Sequence, residues 1–322
     1  MPPLFWIIDE EWADYDLEQR MLKELYPDCI IKFSGYDYEE DLKNFGRQAD
    51  AVICQIYAHI PAEVINQLIR CKAIAVYGGG YDRVDVAAAK AKGIRVTNVS
   101  NYCKEDLADF TLAAIYHFYK RLCDLGGQVK ELPWGAQALK IIPNRLSHST
   151  LHIIGLGRIG REVARKALGN DLKVTAYDPY VDSETINGLG IKKTGWNEGL
   201  EQADYISVNC ILNAETTGLI KYDDFRRMKP AACLINTARG AVIDEEGLIR
   251  ALREGLIEGA LLDVIAQEPP DYSEAIFSTP RVLITPHVSY ISRQSFDELK
   301  RRAVRNAVMG LRGEISPDLV NP

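Results

Sequence analysis

Along the first hundred residues, short apolar runs alternate with stretches in which apolar residues return every three or four positions. The runs are LFWII, CIIKF, DAVICQ, AIAVYG and IRVTNV. Strand-like runs separated by helical stretches predict βα units around a mostly parallel sheet. From Leu151 the alternation begins again with LHIIG, KVTAYD, YISVNC, ACLINT, GALLDV and VLITP, which predicts a second α/β sheet. Between the two, KEDLADFTLAAIYHFYKRL carries Leu107, Phe110, Ala114, Phe118 and Leu122 at steps of three and four, the period of a long amphipathic helix. The segment from about Ser292, SRQSFDELKRRAVRNAVMGLRG, is a second such helix with no strand after it. A chain that begins one domain, builds another and ends on a helix can return to complete the first. The domains expected are therefore 1–100 plus 291–322, discontinuous, and 101–290.

The second sheet opens on HIIGLGRIG, where a strand runs into Gly155, Gly157 and Gly160. That spacing lets a tight turn bring backbone N–H groups to a dinucleotide pyrophosphate at a helix N-terminus. The next strand ends in Asp178, eighteen residues after Gly160, where a Rossmann unit places a carboxylate on the adenosine ribose. A carboxylate there repels a 2′-phosphate, so NAD is expected rather than NADP. The glycine turn comes late because a substrate-side domain precedes it.

Composition narrows the ligand. The chain has 322 residues, 47% hydrophobic and 26% charged, with a formal net charge of −7. That balance argues against nucleic acid or an anionic membrane as partner and for a small molecule. Seven cysteines at 29, 54, 71, 103, 123, 210 and 233 make no C-x-x-C pair, so reduced thiols and a cytoplasmic setting are expected. No stretch approaches about 20 uninterrupted apolar residues, and the N-terminus lacks a basic leader pattern. His148 and His152 have the spacing of a metal pair on a helix, but they flank a strand entry, where that spacing separates side chains by roughly 13 Å. No metal is expected.

Three strand ends carry the candidate chemistry. LINTARGAV puts Arg239 beyond one, GALLDVIAQEPP puts Asp263 and Glu268 at and beyond a second, and VLITPHVSY puts His287 beyond a third. Open α/β sheets present ligand-facing groups at such ends. A guanidinium fork suits a planar carboxylate. A carboxylate beside an imidazole favours its protonated form, which lets the ring give a proton to a developing alkoxide and take it back on oxidation.

In order and approximate spacing, GLGRIG, YDP, LINTARGAVIDEEGLIRAL, GALLDVIAQEPP and TPH resemble the D-isomer-specific 2-hydroxyacid dehydrogenases over nearly all of the chain. The resemblance implies two doubly wound parallel-sheet domains with a cleft between them, a flavodoxin-like substrate domain and a Rossmann NAD domain inserted into it. It implies that Arg239 holds the carboxylate and carbonyl of a 2-oxo acid, that Glu268 pairs with His287 and that His287 is the general acid. Gly79 and Gly80, in VYGGGYDRVD, would grip the substrate carboxylate through backbone N–H groups, with Tyr102 and Cys103 near the mouth of the cleft. On the cofactor side, Arg158 and Ile159 follow the turn, Cys210, Thr237 and Ala238 stand near the riboses, and Asp263 would accept from the nicotinamide amide. A homodimer through the NAD domain is implied as well. Tyr77, Tyr81, Tyr102, Tyr290 and Trp134 are the aromatic candidates for selecting substrate size, and segment 130–144 is a candidate arm or lid.

Ile211 and Asn213 depart from the proline and threonine common in relatives, and His152 occupies a strand position that is often small or apolar. NYCKEDLAD and HVSYIS lean toward the branch containing the C-terminal-binding-protein co-repressors. An NAD(H)-responsive, non-catalytic interaction scaffold is therefore the alternative to an enzyme. Glu268 favours a 2-hydroxy acid over formate, because formate enzymes of this scaffold carry glutamine there.

Overall fold

The computed structural model describes residues 1–139 and 142–322, so part of segment 130–144 lies outside the described residues. The chain divides into two compact units, Met1–Tyr102 with Ser292–Pro322, and Cys103–Ile291.

The first unit begins β1 (Leu4–Ile8), α1 (Asp16–Leu25), β2 (Ile30–Ser34), α2 (Glu39–Asn44), β3 (Ala51–Gln55), α3 (Ala62–Gln67), β4 (Ala73–Tyr77), α4 (Val86–Ala91) and β5 (Arg95–Thr97). Its strands are all parallel, in the order β2-β1-β3-β4-β5. This is the flavodoxin-like 2-1-3-4-5 order. β1, β3 and β4 are buried along their whole length, whereas the edge strand β2 is exposed at Ile30, Lys32 and Phe33. Helices cover both faces of the central strands, so those strands read as unbroken apolar runs.

The second unit opens with α5 (Lys104–Lys120) and α6 (Leu122–Gly127). It then alternates β6 (Thr150–Ile154), α7 (Arg158–Leu168), β7 (Lys173–Tyr177), α8 (Ser183–Gly188), β8 (Lys192–Lys193), α9 (Trp196–Gln202) and β9 (Tyr205–Val208). It closes with α10 (Tyr222–Phe225), β10 (Cys233–Asn236), α11 (Glu245–Glu254), β11 (Gly259–Leu262) and β12 (Val282–Ile284). The seven parallel strands run β12-β11-β10-β9-β6-β7-β8. Counted from β6 this is the Rossmann order 3-2-1-4-5-6 with a seventh strand added, and the order of strand addition reverses between β6 and β9. The helix expected through Leu122 breaks at Arg121, which takes a left-handed conformation with φ 49°.

The chain then returns to the first unit as α12 (Arg293–Arg312), which packs on β3 and β4. Ser292 and Ser295 cap its start reciprocally, and Gly313, at φ 80°, ends it in the left-handed conformation that favours glycine. Gly310 faces Ala73 of β4 so closely that a Cβ would come within 2.5 Å of the alanine methyl. The last helix thus reaches the sheet because its inner face carries no side chain there.

Candidate active site

The glycine turn sits where the strand order of the second sheet reverses, between β6 and β9. Gly155 leaves β6 with φ 91°, and a Cβ on it would lie 2.7 Å from the backbone nitrogen of Cys210 at the exit of β9. Gly160, in the first turn of α7, lies against the Gly155 carbonyl, which a Cβ would approach to 2.2 Å. Both positions therefore require glycine, the first for conformation and the second for close helix–strand packing. Gly157 is the N-cap of α7, and Arg158 and Ile159 form its first turn, so the helix N-terminus opens directly beyond the glycines.

Asp178, at the exit of β7, ties this turn to the next strand. One carboxylate oxygen accepts from the Leu156 N–H at 2.8 Å and the other from the Tyr180 N–H at 2.9 Å. The side chain is partly exposed at the edge where an adenosine ribose belongs. Around the same edge, half-buried Asn209 and buried Thr237 each have a buried side-chain oxygen with no hydrogen-bond partner among the described residues. Buried polar atoms are normally satisfied, so these two oxygens, the glycine cradle and the helix N-terminus together fit a dinucleotide. Cys210 is half-buried, and burial pushes its thiol up to about 11, so it is a neutral wall rather than a nucleophile at ordinary pH.

At the ends of β11 and β12, His287 Nδ1 lies 2.9 Å from Glu268 Oε2. Their side chains are 12% and 15% exposed. The other carboxylate oxygen of Glu268 accepts from the Ile265 N–H at 3.0 Å, which fixes the acid in its loop. With the carboxylate on Nδ1, a neutral imidazole carries its proton there and Nε2 points the opposite way across the ring. His287 itself is held in the left-handed region, at φ 54°, by its N–H bonding to the carbonyls of Asp263 and Thr285. Tyr290 meets the imidazole edge-on, with centroids 6.3 Å apart.

Asp263 has a task that its strand-end position did not reveal. It is 1% exposed, and its carboxylate accepts from the Thr285 hydroxyl at 2.6 Å and from the N–H groups of Val288 and Ser289, each at 2.9 Å. With these three donors the buried carboxylate clamps the turn carrying His287 on both sides of that residue.

Arg239 follows β10 and precedes Gly240, at which a Cβ would come within 1.9 Å of the Ile265 backbone. The Asn236 side chain holds this corner: its amide donates to the Arg239 carbonyl at 2.9 Å and its oxygen accepts from the Ala238 N–H at 3.0 Å. The loops bearing Arg239 and Glu268 are thereby packed backbone to backbone. Arg239 Nη1 donates to the Ala238 carbonyl at 2.8 Å.

In the first unit, Gly79 and Gly80 leave β4, and Tyr102 is partly buried at the unit's end. Cys103 is buried as the N-cap of α5 in the second unit. Among the aromatic candidates for substrate selection, Tyr77 is corrected by the structure. It is 1% exposed, packed edge-on against Trp12 at 4.5 Å, with its hydroxyl 3.4 Å from the buried Glu18. It lies inside the first unit because its ring packs under Trp12 and its hydroxyl turns to the buried carboxyl of Glu18. Trp134 is 92% exposed.

The family described as D-isomer specific 2-hydroxyacid dehydrogenase, NAD binding domain, matches residues 112–289, more than half of the chain. This protein belongs to that family. Glyoxylate reductases of Korarchaeum cryptofilum and Thermofilum pendens are 33% and 34% identical to it, over 85% and 88% of the chain and 83% and 84% of their own lengths. Its structure is similar to that of D-lactate dehydrogenase from Aquifex aeolicus, solved with NAD and lactic acid, at a TM-score of 0.88 and 27% identity, covering 99% of each chain. The protein is thus an NAD-dependent 2-hydroxyacid dehydrogenase. Of the candidate site features, the glycine turn, Arg239, Glu268 and His287 are legible as motifs. Asp263's clamp and the orphaned oxygens of Asn209 and Thr237 are not, since each depends on neighbouring strands. Among the described residues no helix is long and apolar enough to cross a membrane.

Proposed function

We propose that the enzyme interconverts a small 2-oxo acid and its D-2-hydroxy acid, with His287 as the general acid and base. The observation that carries this reading is the His287–Glu268 pair, 2.9 Å apart at the ends of adjacent parallel strands. Held by the glycine turn and Asp178, NAD would supply or accept the hydride at the substrate's second carbon. In reduction, His287 gives the proton that converts the developing alkoxide to a hydroxyl, and Glu268 stabilises the imidazolium before transfer. In oxidation the ring takes that proton back. In the NAD-binding unit, Arg239 is the guanidinium fork for the substrate carboxylate and carbonyl; in the other unit, the N–H groups of Gly79 and Gly80 are the backbone donors for a carboxylate. Asp178 reads the adenosine ribose hydroxyls and disfavours a 2′-phosphate. Asp263 keeps the His287 turn in place, and a role for it at the nicotinamide amide would run through that turn.

The unit 1–102 with 292–322 is the substrate-binding domain in this reading, and the other unit binds NAD. The relatives named above make glyoxylate and lactate-sized acids the first substrates to try. The active form is a homodimer assembled through the NAD domain, working in the cytoplasm. The test is NADH consumption against a panel of 2-oxo acids, with Arg239→Ala as control and NADH binding measured separately. Turnover that the control loses supports the reading. NADH binding with no turnover on any acid overturns it in favour of an NAD(H)-responsive scaffold.

A further inference from the structure

The glycine turn of the first unit is held by two consecutive carbonyls. Val99 N–H donates to the Gly78 carbonyl at 2.8 Å, and the Asn98 side-chain amide donates to the Gly79 carbonyl at 2.7 Å. In a planar trans peptide, C=O and N–H point in opposite directions. Turning the Gly78 carbonyl toward Val99 therefore turns the Gly79 N–H away from it, and turning the Gly79 carbonyl toward Asn98 does the same to the Gly80 N–H. Along an extended strand, successive carbonyls alternate sides. Here both face residues 98–99, so two successive N–H groups face the other way together, a pair of donors turned to one side. The strand leaves β4 into this turn through Gly78, at φ 146° and at a position where a Cβ would come within 2.5 Å of the Ile56 side chain. Gly79 is exposed, and neither N–H takes an acceptor among the described residues.

We propose that Asn98 is a positioning residue for the substrate carboxylate: by holding the Gly79 carbonyl it aims the Gly80 N–H, and with Val99 it makes the turn a two-donor cradle. This rests on the reading of Gly79 and Gly80 given above. The main chain of Asn98 is anchored independently, its N–H donating to the Asp318 carbonyl at 3.2 Å and its carbonyl accepting from the Asn306 amide at 3.0 Å. Replacing the side chain therefore removes the Gly79 contact and leaves the strand exit tethered. Asn98→Asp keeps the shape but sets a carboxylate against the Gly79 carbonyl.

The experiment uses full-length enzyme with NADH and oxamate, a 2-oxo acid analogue that is not reduced, comparing wild type with Asn98→Ala and Asn98→Asp. The expected result is that KM for the oxo acid and the inhibition constant of oxamate rise about 3- to 10-fold in the alanine variant and further in the aspartate variant, as loss of one orienting hydrogen bond implies. kcat stays within about 3-fold and NADH affinity is unchanged. In glycine-labelled wild-type enzyme the Gly79 and Gly80 amide resonances shift on adding oxamate, and the variants need more oxamate to shift them. Wild-type amides that ignore oxamate overturn the underlying reading of the glycines. Amides that respond in wild type while both variants keep the wild-type KM and oxamate affinity overturn the role of Asn98 alone. A variant that loses NADH affinity, kcat and thermal stability together also overturns it, since that pattern marks a structural residue only.

Discussion

Acid should destabilise this protein through one buried histidine. His152, in β6, is 0% exposed, with Nδ1 2.9 Å from the Thr175 hydroxyl of β7 and Nε2 without a hydrogen-bond partner among the described residues. Its ring abuts Gly199 of α9, where a Cβ would come within 2.2 Å of Cε1. Burial pushes its pKa down from 6.5 to about 4. The unfolded chain therefore takes up the proton first as pH falls below 6.5, and stability is lost progressively until the folded protein also protonates near 4. The full gap corresponds to about 3 kcal/mol, and about 2.5 kcal/mol of it is gone by pH 4.5. Other groups titrate in the same window, so the quantity to measure is a difference. Urea unfolding of wild type and His152→Val, from pH 7.5 to 4.5, gives that difference at each pH. The lost Thr175 contact and the smaller side chain add an offset that does not vary with pH. The variant should therefore gain about 2.5 kcal/mol on wild type across the range. A difference constant to within about 0.5 kcal/mol would refute the reasoning and mean that His152 is not buried neutral.

Gly155→Ala should abolish NADH binding measured by fluorescence, because the methyl meets the Cys210 backbone and a left-handed alanine costs about 1–2 kcal/mol before that clash. Asp263→Ala leaves the Thr285 hydroxyl and two backbone N–H groups without their acceptor. It should destabilise the protein by about 2–4 kcal/mol in chemical denaturation and depress kcat, and unchanged stability would show that the turn finds other acceptors. His287→Ala should lower kcat by roughly 10²–10⁴ with NADH affinity retained, as measured by steady-state turnover beside direct cofactor titration.

The sequence by itself determined the elements and the candidate chemical groups at their ends. Runs such as LFWII and AIAVY are uninterrupted because strands covered on both faces have no polar side, and the order of strands and helices left two parallel sheets as the outcome. Gly155, Gly157 and Gly160 were legible because a tight turn permits few residues, and Arg239, Glu268 and His287 because each follows a strand end. The two-residue β8 escaped notice, being too short to show a period, and nothing in the periodicity of YHFYKRL marks the left-handed break at Arg121. Tertiary structure alone decided who meets whom. Asp263 looks like a ligand-facing strand end, yet the parallel register of β11 and β12, which sets Leu262 beside Ile284, delivers the 285–289 turn onto its carboxylate. Tyr77 looks like a pocket wall and is a core residue. Asn98 and Gly79 are nineteen residues apart along the chain, and only the pairing of β4 with β5 puts an amide beside that carbonyl. Periodicity records whether a side chain is buried. The partner it finds depends on the register between strands far apart in the chain, a relation that no local pattern contains.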